Sequence, residues 1–468
     1  MRDLASCARV DKQWSAAVTQ LLYCNVRLDA VHYCDREVKL VNQRKASALH
    51  GRKGDVRDAA QERLHLFYRT AKDNDRLAAS VESLKTPFVT REVCAPDLAR
   101  AISVLPNLRY VDLPEDIFSE TSTSTILRLE LETRCPDLRW MKYAAGAEAS
   151  FAALAQAKHW RKLEIVELHR LTVDASLICE VLSSLPNMNE LVLSGVQGLD
   201  DSIFSPVLRP VPLPPVERLG LHDLPDITAT GFVHYLSRPK VSGTITSIRL
   251  SNTALPIHAL NRILEPCVKL RNLHVVHMID RPFPLGSVPP LTSPSLKRLK
   301  YEINTRASHQ RNGNPSFESY YLYLARSLIQ GTLPSLTHLY ALSTTLIAML
   351  APLSAVGIEQ VPERSNNSPE TVMTQSLNVY TKSVSELEWN LTLINPPARG
   401  PRTENYETST RPMSLHRPLP LSPQWREQGR ESVSVGNGFG GFLTVPLQRS
   451  PVSPGQKSPR QDPDAWMG

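Results

Sequence analysis

A nine-residue phrase with apolar side chains at its fourth, seventh and usually ninth places recurs along this chain. It reads LPNLRYVDL from Leu105, CPDLRWMKY from Cys135, WRKLEIVEL from Trp160 and LPNMNELVL from Leu185. It returns as LPPVERLGL from Leu213, CVKLRNLHV from Cys267, SPSLKRLKY from Ser293 and LPSLTHLYA from Leu333. A weaker copy, carried by Ile245, Ile248 and Leu250, lies between the fifth and the sixth. Successive copies start at near-constant intervals, with one longer gap between Ser293 and Leu333, and six of them have Pro in second place. Near-constant spacing of this kind argues against a non-repetitive α/β domain with chance L-x-x-L-x-L strands. The last two apolar places are two residues apart, so each phrase predicts a short strand that turns those residues inward and the ones between them outward. Stretches such as ASLICEVLSSL from Ala175 and HALNRILEPC from His258 space their apolar residues as amphipathic helices do. One strand and one helix cannot bury an apolar face alone. Stacking the units in register solves this with one parallel sheet and one continuous core, which is a solenoid.

The pattern resembles the leucine-rich repeat over roughly residues 77 to 350. That resemblance implies an α/β fold with parallel strands on a concave face and helices outside. The family's usual Asn or Cys three places after the last apolar position is missing: Asp116, Val196, Leu224 and Thr253 stand there.

The N-terminal segment, MRDLASCARVDKQWSAAVTQLLYCNVRL, offers Asp3 as a helix N-cap. Leu4, Cys7 and Val10, then Trp14, Val18, Leu21 and Leu22, follow at spacings that share a helix face. Two short helices that bury Trp14 between them are expected. D-L-x-x-C-x-x-V followed by Trp, a small residue and a closing apolar stretch resembles the second half of the F-box, and LFYRTAKDNDRLAASVESL from Leu66 resembles the bridge to the first repeat in fungal F-box proteins. The Leu-Pro-containing first half of that motif would precede Asp3. An amphipathic cap on the repeat array is the other reading of residues 1 to 28. The expected organisation is therefore 1–30 partial F-box-like helices, 31–76 basic linker and bridge, 77–356 repeats, and 357–468 a mostly disordered tail.

The tail rests on composition. Residues 396–468 carry 12 of the 37 prolines among Ser, Gly and Arg, too little apolar surface to offset ordering entropy. Ser422, Ser450, Ser453 and Ser458 each precede Pro, so proline-directed phosphorylation would add about −1.5 to −2 charges apiece. The whole chain has 468 residues, 41% of them hydrophobic, and a formal charge of +7. It lacks both an apolar run long enough to span a bilayer and a secretory leader pattern, so a cytoplasmic or nuclear protein without membrane contact is expected. Seven scattered cysteines with no C-x-x-C pair read as reduced and mostly buried, and the glycosylation-type triplets at Asn366 and Asn390 carry no meaning in that setting.

Chemistry-bearing motifs are few. Gly436, Gly438 and Gly441 form a G-x-G-x-x-G, but the following FLTVPLQRSPVSP supplies neither the helix nor the second strand that a dinucleotide site needs. Cys24, His32 and Cys34 lack a fourth ligand at usable spacing for a metal. The basic run from Lys39 to Arg57 lacks interleaved aromatics, so nucleic acid is not an expected partner; steep salt dependence would mark one. No cofactor, metal or catalytic group is expected.

What remains is a surface. Outward residues of equivalent repeats stack in columns about 4.8 Å apart. One column runs Asp112, Lys142, Glu167, Val192, Gly220, Arg249, His274, Lys300, Tyr340, and its neighbour runs Tyr110, Trp140, Ile165, Glu190, Arg218, Ser247, Asn272, Arg298, His338. Middle repeats are acidic at Glu164, Glu167, Glu190 and Glu217; later ones are basic at Arg249, Arg271, Lys297, Arg298 and Lys300. Stacked like charges cost roughly 0.2–1 kcal/mol per pair, which a bound anion would relieve. Arg249, His274, Arg298 and Lys300 are the expected receptors for an acidic or phosphorylated peptide, with Tyr110, Trp140 and Ile165 as an apolar anchor at the other end. The two resemblances together imply a non-catalytic substrate receptor of an SCF-type ubiquitin ligase, whose partners are the adaptor, the cullin scaffold and a target protein. Leu4, Cys7, Val10, Trp14, Val18 and Leu22 would form the adaptor-binding F-box core. A repeat scaffold with no ligase role is the alternative.

Overall fold

The computed structural model describes residues 6–7, 9–28, 59–86, 95–114, 117–118, 122–156, 159–205, 211–279, 281–284, 288–305, 315–354, 376–383, 386, 388–395, 432–436 and 442–446. The chain divides into two compact units, Met1–Ala398 and Arg399–Gly468. In the first, helix α1 (Lys12–Cys24) leads into β1 (Asn25–Arg27), and α2 (Ala59–Lys72) and α3 (Asp75–Ser80) lead into β2 (Ser83–Lys85). Then α4 (Ala95–Ser103) precedes β3 (Tyr110–Val111). These strands form a three-stranded parallel sheet in the order β1-β2-β3.

The strands β4 (Trp140–Ala144), β5 (Ile165–His169), β6 (Glu190–Ser194), β7 (Arg218–His222) and β8 (Ser247–Ser251) follow in chain order. After them come β9 (Asn272–Ile279), β10 (Arg298–Thr305), β11 (His338–Ala341) and β12 (Leu377–Thr381). All nine pair in parallel with their sequence neighbours, and β13 (Asn390–Ile394) closes the ten-stranded sheet antiparallel to β12. A backbone ladder joins the two sheets and runs on through the second. Arg139 N donates to Arg109 O, Glu164 and Ile165 N to Arg139 O, Asn189 and Glu190 N to Glu164 O, and Glu217 and Arg218 N to Asn189 O. The structure is thus a mixed α/β protein built around a large, mostly parallel sheet. Every recurring phrase from Cys135 to Leu333, including the weak copy at Ile245, ends in one of its strands.

The phrase works because its fixed apolar places share one side of the sheet. Leu191, Leu193, Leu219, Leu221, Ile248, Leu250, Leu273 and Leu299 are all at most 3% exposed and belong to one core cluster. Helical residues such as Ile178, Leu182, Phe232 and Tyr235 complete it. Each fully buried Leu or Ile contributes about 1.5–3 kcal/mol. Helix starts are capped locally: Asp174 accepts from Ser176 N at 2.7 Å, and Thr228 from Gly231 N at 3.5 Å.

Without the Asn ladder, the repeats turn by another device. The residue just past the strand is left-handed in four successive units: Arg170 (φ 52°), Gly195 (φ 59°), Asp223 (φ 51°) and Asn252 (φ 50°). Each donates its N–H to a carbonyl of the next strand, at Ser194, His222, Ser251 and Val276 O respectively. The positions where Asn was missed, Val196, Leu224 and Thr253, are buried instead. Asp116 lies outside the described residues.

Three expectations are corrected here. Trp14 is not buried between helices but 57% exposed, and Val10 and Leu21 are exposed at 73% and 63%. Among the described side chains of α1 the buried one is Val18, and the helix packs on α3. Residues 357–468 are not uniformly unpacked, since β12 and β13 complete the sheet with Leu377, Val379 and Ile394 in the core. In the second unit, β14 (Ser432–Gly436) pairs antiparallel with β15 (Phe442–Pro446), so FLTVP does form a strand. Gly436 therefore ends a strand whose partner is antiparallel, not the strand-to-helix turn of a dinucleotide site. Among the described residues no helix is long and apolar enough to cross a membrane. Among the described residues Cys135, Cys179 and Cys267 are buried and Cys7 and Cys24 half-buried, and none of them is in a disulfide.

Candidate binding face

On the side of the ten-stranded sheet away from the helices, the strand register sets side chains in rows. Trp140, Ile165, Glu190, Arg218, Ser247, Asn272, Arg298 and His338 are successive partners. Lys142, Glu167, Val192, Gly220, Arg249, His274, Lys300 and Tyr340 form the second row. These rows agree with the period-two reading. A third row, missed because the phrase ends one step short of it, adds His169, Ser194, His222, Ser251, Val276 and Glu302.

In the first half of the face the acidic side chains already have partners. Glu164 accepts from Arg139 at 2.5 Å and from Tyr110 Oη at 3.0 Å. Glu167 accepts from Trp140 Nε1 at 3.1 Å and lies 3.3 Å from His169 Nε2. Burial pushes the Glu167 carboxyl up, but the His169 and Trp140 hydrogen bonds outweigh it and hold the group below its usual value. Glu190, only 9% exposed, takes Arg218 at 2.5 Å and Arg249 at 2.8 Å. Tyr110 and Trp140 are therefore polar partners of carboxylates and not an apolar anchor; burial, then Glu164, raises the Tyr110 hydroxyl.

The second half differs. A cleft of about 300 Å³ is lined by Arg249, His274, Arg298, Lys300, Tyr340 and Trp389, so the four expected receptors do converge on one space. Glu302 tempers two of them, with Lys300 Nζ at 2.9 Å and His274 Nε2 at 3.5 Å. Burial raises the Glu302 carboxyl, yet hydrogen bonds from His274 and Lys300 overcome it and leave the group below its usual value. Arg298 is exposed, and its side chain makes no ion pair or hydrogen bond among the described residues. It bears on its surroundings: burial and then Arg298 lower the His338 pKa. Burial and then Arg249 do the same to His222.

Aromatic rings wall the cleft toward the end of the sheet. Tyr340 and Tyr380 stack at 4.3 Å, Trp389 meets Tyr340 edge-on at 5.5 Å, and Lys382 sits 4.9 Å over the Trp389 ring. Tyr380, Lys382 and Trp389 escaped sequence reasoning because β12 and β13 carry no copy of the phrase. Alternation in LNVYT and NLTLI was the available signal.

On the other candidates, Leu4 lies outside the described residues, as do His32, Cys34 and the Lys39–Arg57 run. Val10 and Trp14 are exposed, Cys7 and Leu22 half-buried, and Val18 buried. Among the described residues no group of three His, Cys, Asp or Glu side chains could hold a metal ion.

Comparison with known proteins adds little to this geometry. No family model and no curated protein matches the chain. Among solved structures it is similar to the yeast Rad7 and Elc1 complex, at 16% identity and TM-score 0.34, over 61% of this chain and 63% of that one. It is also similar to a TLR13–ssRNA13 complex, at 13% identity and TM-score 0.24, over 58% of this chain and 48% of that one. The chain thus spans about 63% and 48% of these two.

Proposed function

We propose that this protein is a non-catalytic substrate receptor of an SCF-type ubiquitin ligase, built as a leucine-rich-repeat-like solenoid that holds an acidic or phosphorylated segment of a target protein on its sheet face. The observation that carries the binding half is the convergence of Arg249, His274, Arg298 and Lys300, from three adjacent strands, on one cleft beside Tyr340 and Trp389. Guanidinium and ammonium groups at a ring-walled cleft bind carboxylate or phosphate through charge-assisted hydrogen bonds. The ligase half rests on the F-box resemblance of the segment from Met1 to Leu28. Exposed Val10, Trp14 and Leu21 leave an apolar stripe on and just before α1 for an adaptor. The receptor itself forms no bond; it raises the effective concentration of a target lysine near the ubiquitin-charged enzyme.

One observation favours a scaffold without ligase role. β1, directly after α1, pairs in parallel with β2, so the helix and strand together add a helix–strand unit to the small parallel sheet. Affinity capture of the full chain with mass spectrometry separates the two. The receptor reading expects adaptor and cullin with the parent, their loss with Trp14→Ala, and retention of both with Arg298→Glu/Lys300→Glu, which instead loses target proteins. A parent that captures targets but no adaptor is a scaffold.

A further inference from the structure

The open face of the sheet continues past the cleft. In the β12–β13 pair Tyr380 lies opposite Leu391 and Asn378 opposite Leu393. Residues opposite one another in an antiparallel pair share a face. The two leucines therefore extend the rows that carry Lys300, Tyr340 and Tyr380, and Arg298, His338 and Asn378. Leu391 is 58% exposed and Leu393 55%, whereas Ile394 on the opposite face is buried. β13 is also the outermost strand of the sheet. Soluble proteins usually place Lys, Pro or a bulge on such an edge, because exposed aliphatics there invite association. Two leucines in line with a free arginine mark a contact surface with two chemically distinct ends.

We propose that the face binds an extended segment of a target protein that crosses the strands, with its acidic or phosphorylated side chain at Arg298 and Lys300 and a large aliphatic side chain, four residues away, on Leu391 and Leu393. The inference rests on the acidic-ligand reading of the cleft and adds the second anchor and the spacing. Three strand steps separate β10 from β13, about 14 Å at about 4.8 Å each, and an extended chain rising about 3.3 Å per residue covers this in about four residues. Successive side chains of an extended chain alternate in direction, so residues i, i+2 and i+4 all face the sheet. Residue i+2 then lies over the stacked Tyr340–Tyr380 pair. Spacings of three or five turn the aliphatic side chain away from the leucines.

Fluorescence anisotropy on the full chain tests this with synthetic peptides carrying one phosphoserine and one leucine, separated by two to six positions in both chain directions, with Ser and Ala elsewhere. The tightest binding is expected at a spacing of four in one direction, about tenfold tighter than the same peptide with the leucine replaced by serine, as partial burial of one leucine allows. The double variant Leu391→Ser/Leu393→Ser should erase that tenfold while a peptide with phosphoserine alone binds as before, which also shows that the variant is folded. Arg298→Glu should weaken both peptides. Equal affinity at all spacings, or a gain untouched by the leucine changes, overturns the two-anchor surface and leaves the acidic site standing. Binding of no phosphopeptide overturns the acidic site as well.

Discussion

The two halves of the open face contain similar residue types, yet they dispose of their charge differently. Across β4 to β8 each carboxylate is closed by its neighbours, with Glu164 on Arg139 and Tyr110, Glu167 on Trp140 and His169, and Glu190 on Arg218 and Arg249. Across β9 to β13 one carboxylate, Glu302, serves two cations, Arg298 faces solvent, and rings and leucines replace further acids. Charge in the first half is structural material that holds adjacent strands in register. In the second half Arg298 and the apolar side chains of Leu391 and Leu393 are left exposed. A tally of acidic and basic residues per repeat does not separate these uses; the pairing does.

The largest test of the contrast is Glu190→Ala. It leaves Arg218 and Arg249 without their shared carboxylate at a nearly buried position, and a loss of about 2–3 kcal/mol in urea unfolding is expected, below the full value for a buried pair because both arginines are partly exposed. Arg249 is accordingly a poor place for charge reversal, since the change would confound binding with stability.

Acid provides a test of intermediate size. The folded Glu302 carboxyl titrates below its unfolded value, so its contribution is present above the usual glutamate range and is lost as pH falls through the folded value. His222 also has a depressed pKa, so protonation in the unfolded chain pulls in the same direction as the pH falls. Urea midpoints compared at about pH 6 and about pH 3.5 should fall further for the parent than for Glu302→Gln. Equal falls would remove Glu302 from the account.

The smallest expected effects on stability are at the exposed positions. Arg298→Ala and Trp14→Ala should each shift unfolding by no more than about 0.5 kcal/mol, as surface substitutions do. Their consequences should appear only in capture, of phosphopeptide for the first and of adaptor for the second. A loss of several kcal/mol at Trp14 would place it in a core and return residues 1 to 28 to the role of a cap.

The nine-residue phrase alone made legible the first part of each strand between Trp140 and Ala341 and which of the phrase's own side chains face outward. Both facts follow from period two within a phrase that returns at near-constant spacing, and these are local properties that parallel stacking only copies from unit to unit. It also pointed to Arg249, His274, Arg298 and Lys300, because equivalent positions of stacked units must be neighbours. Tertiary structure alone decided which of those charges are free. Glu190 reaches Arg249 from two strands away, and Glu302 sits one step past the recurring phrase. Tyr380, Trp389, Leu391 and Leu393 arrive on or beside strands that lack the phrase and are ordered by pairing with β11 and with each other. Trp14 is exposed while Val18, one turn further along α1, is buried in a helix that packs on α3. Helical spacing specifies that a face is apolar; what covers that face depends on the surfaces that the rest of the chain brings to it.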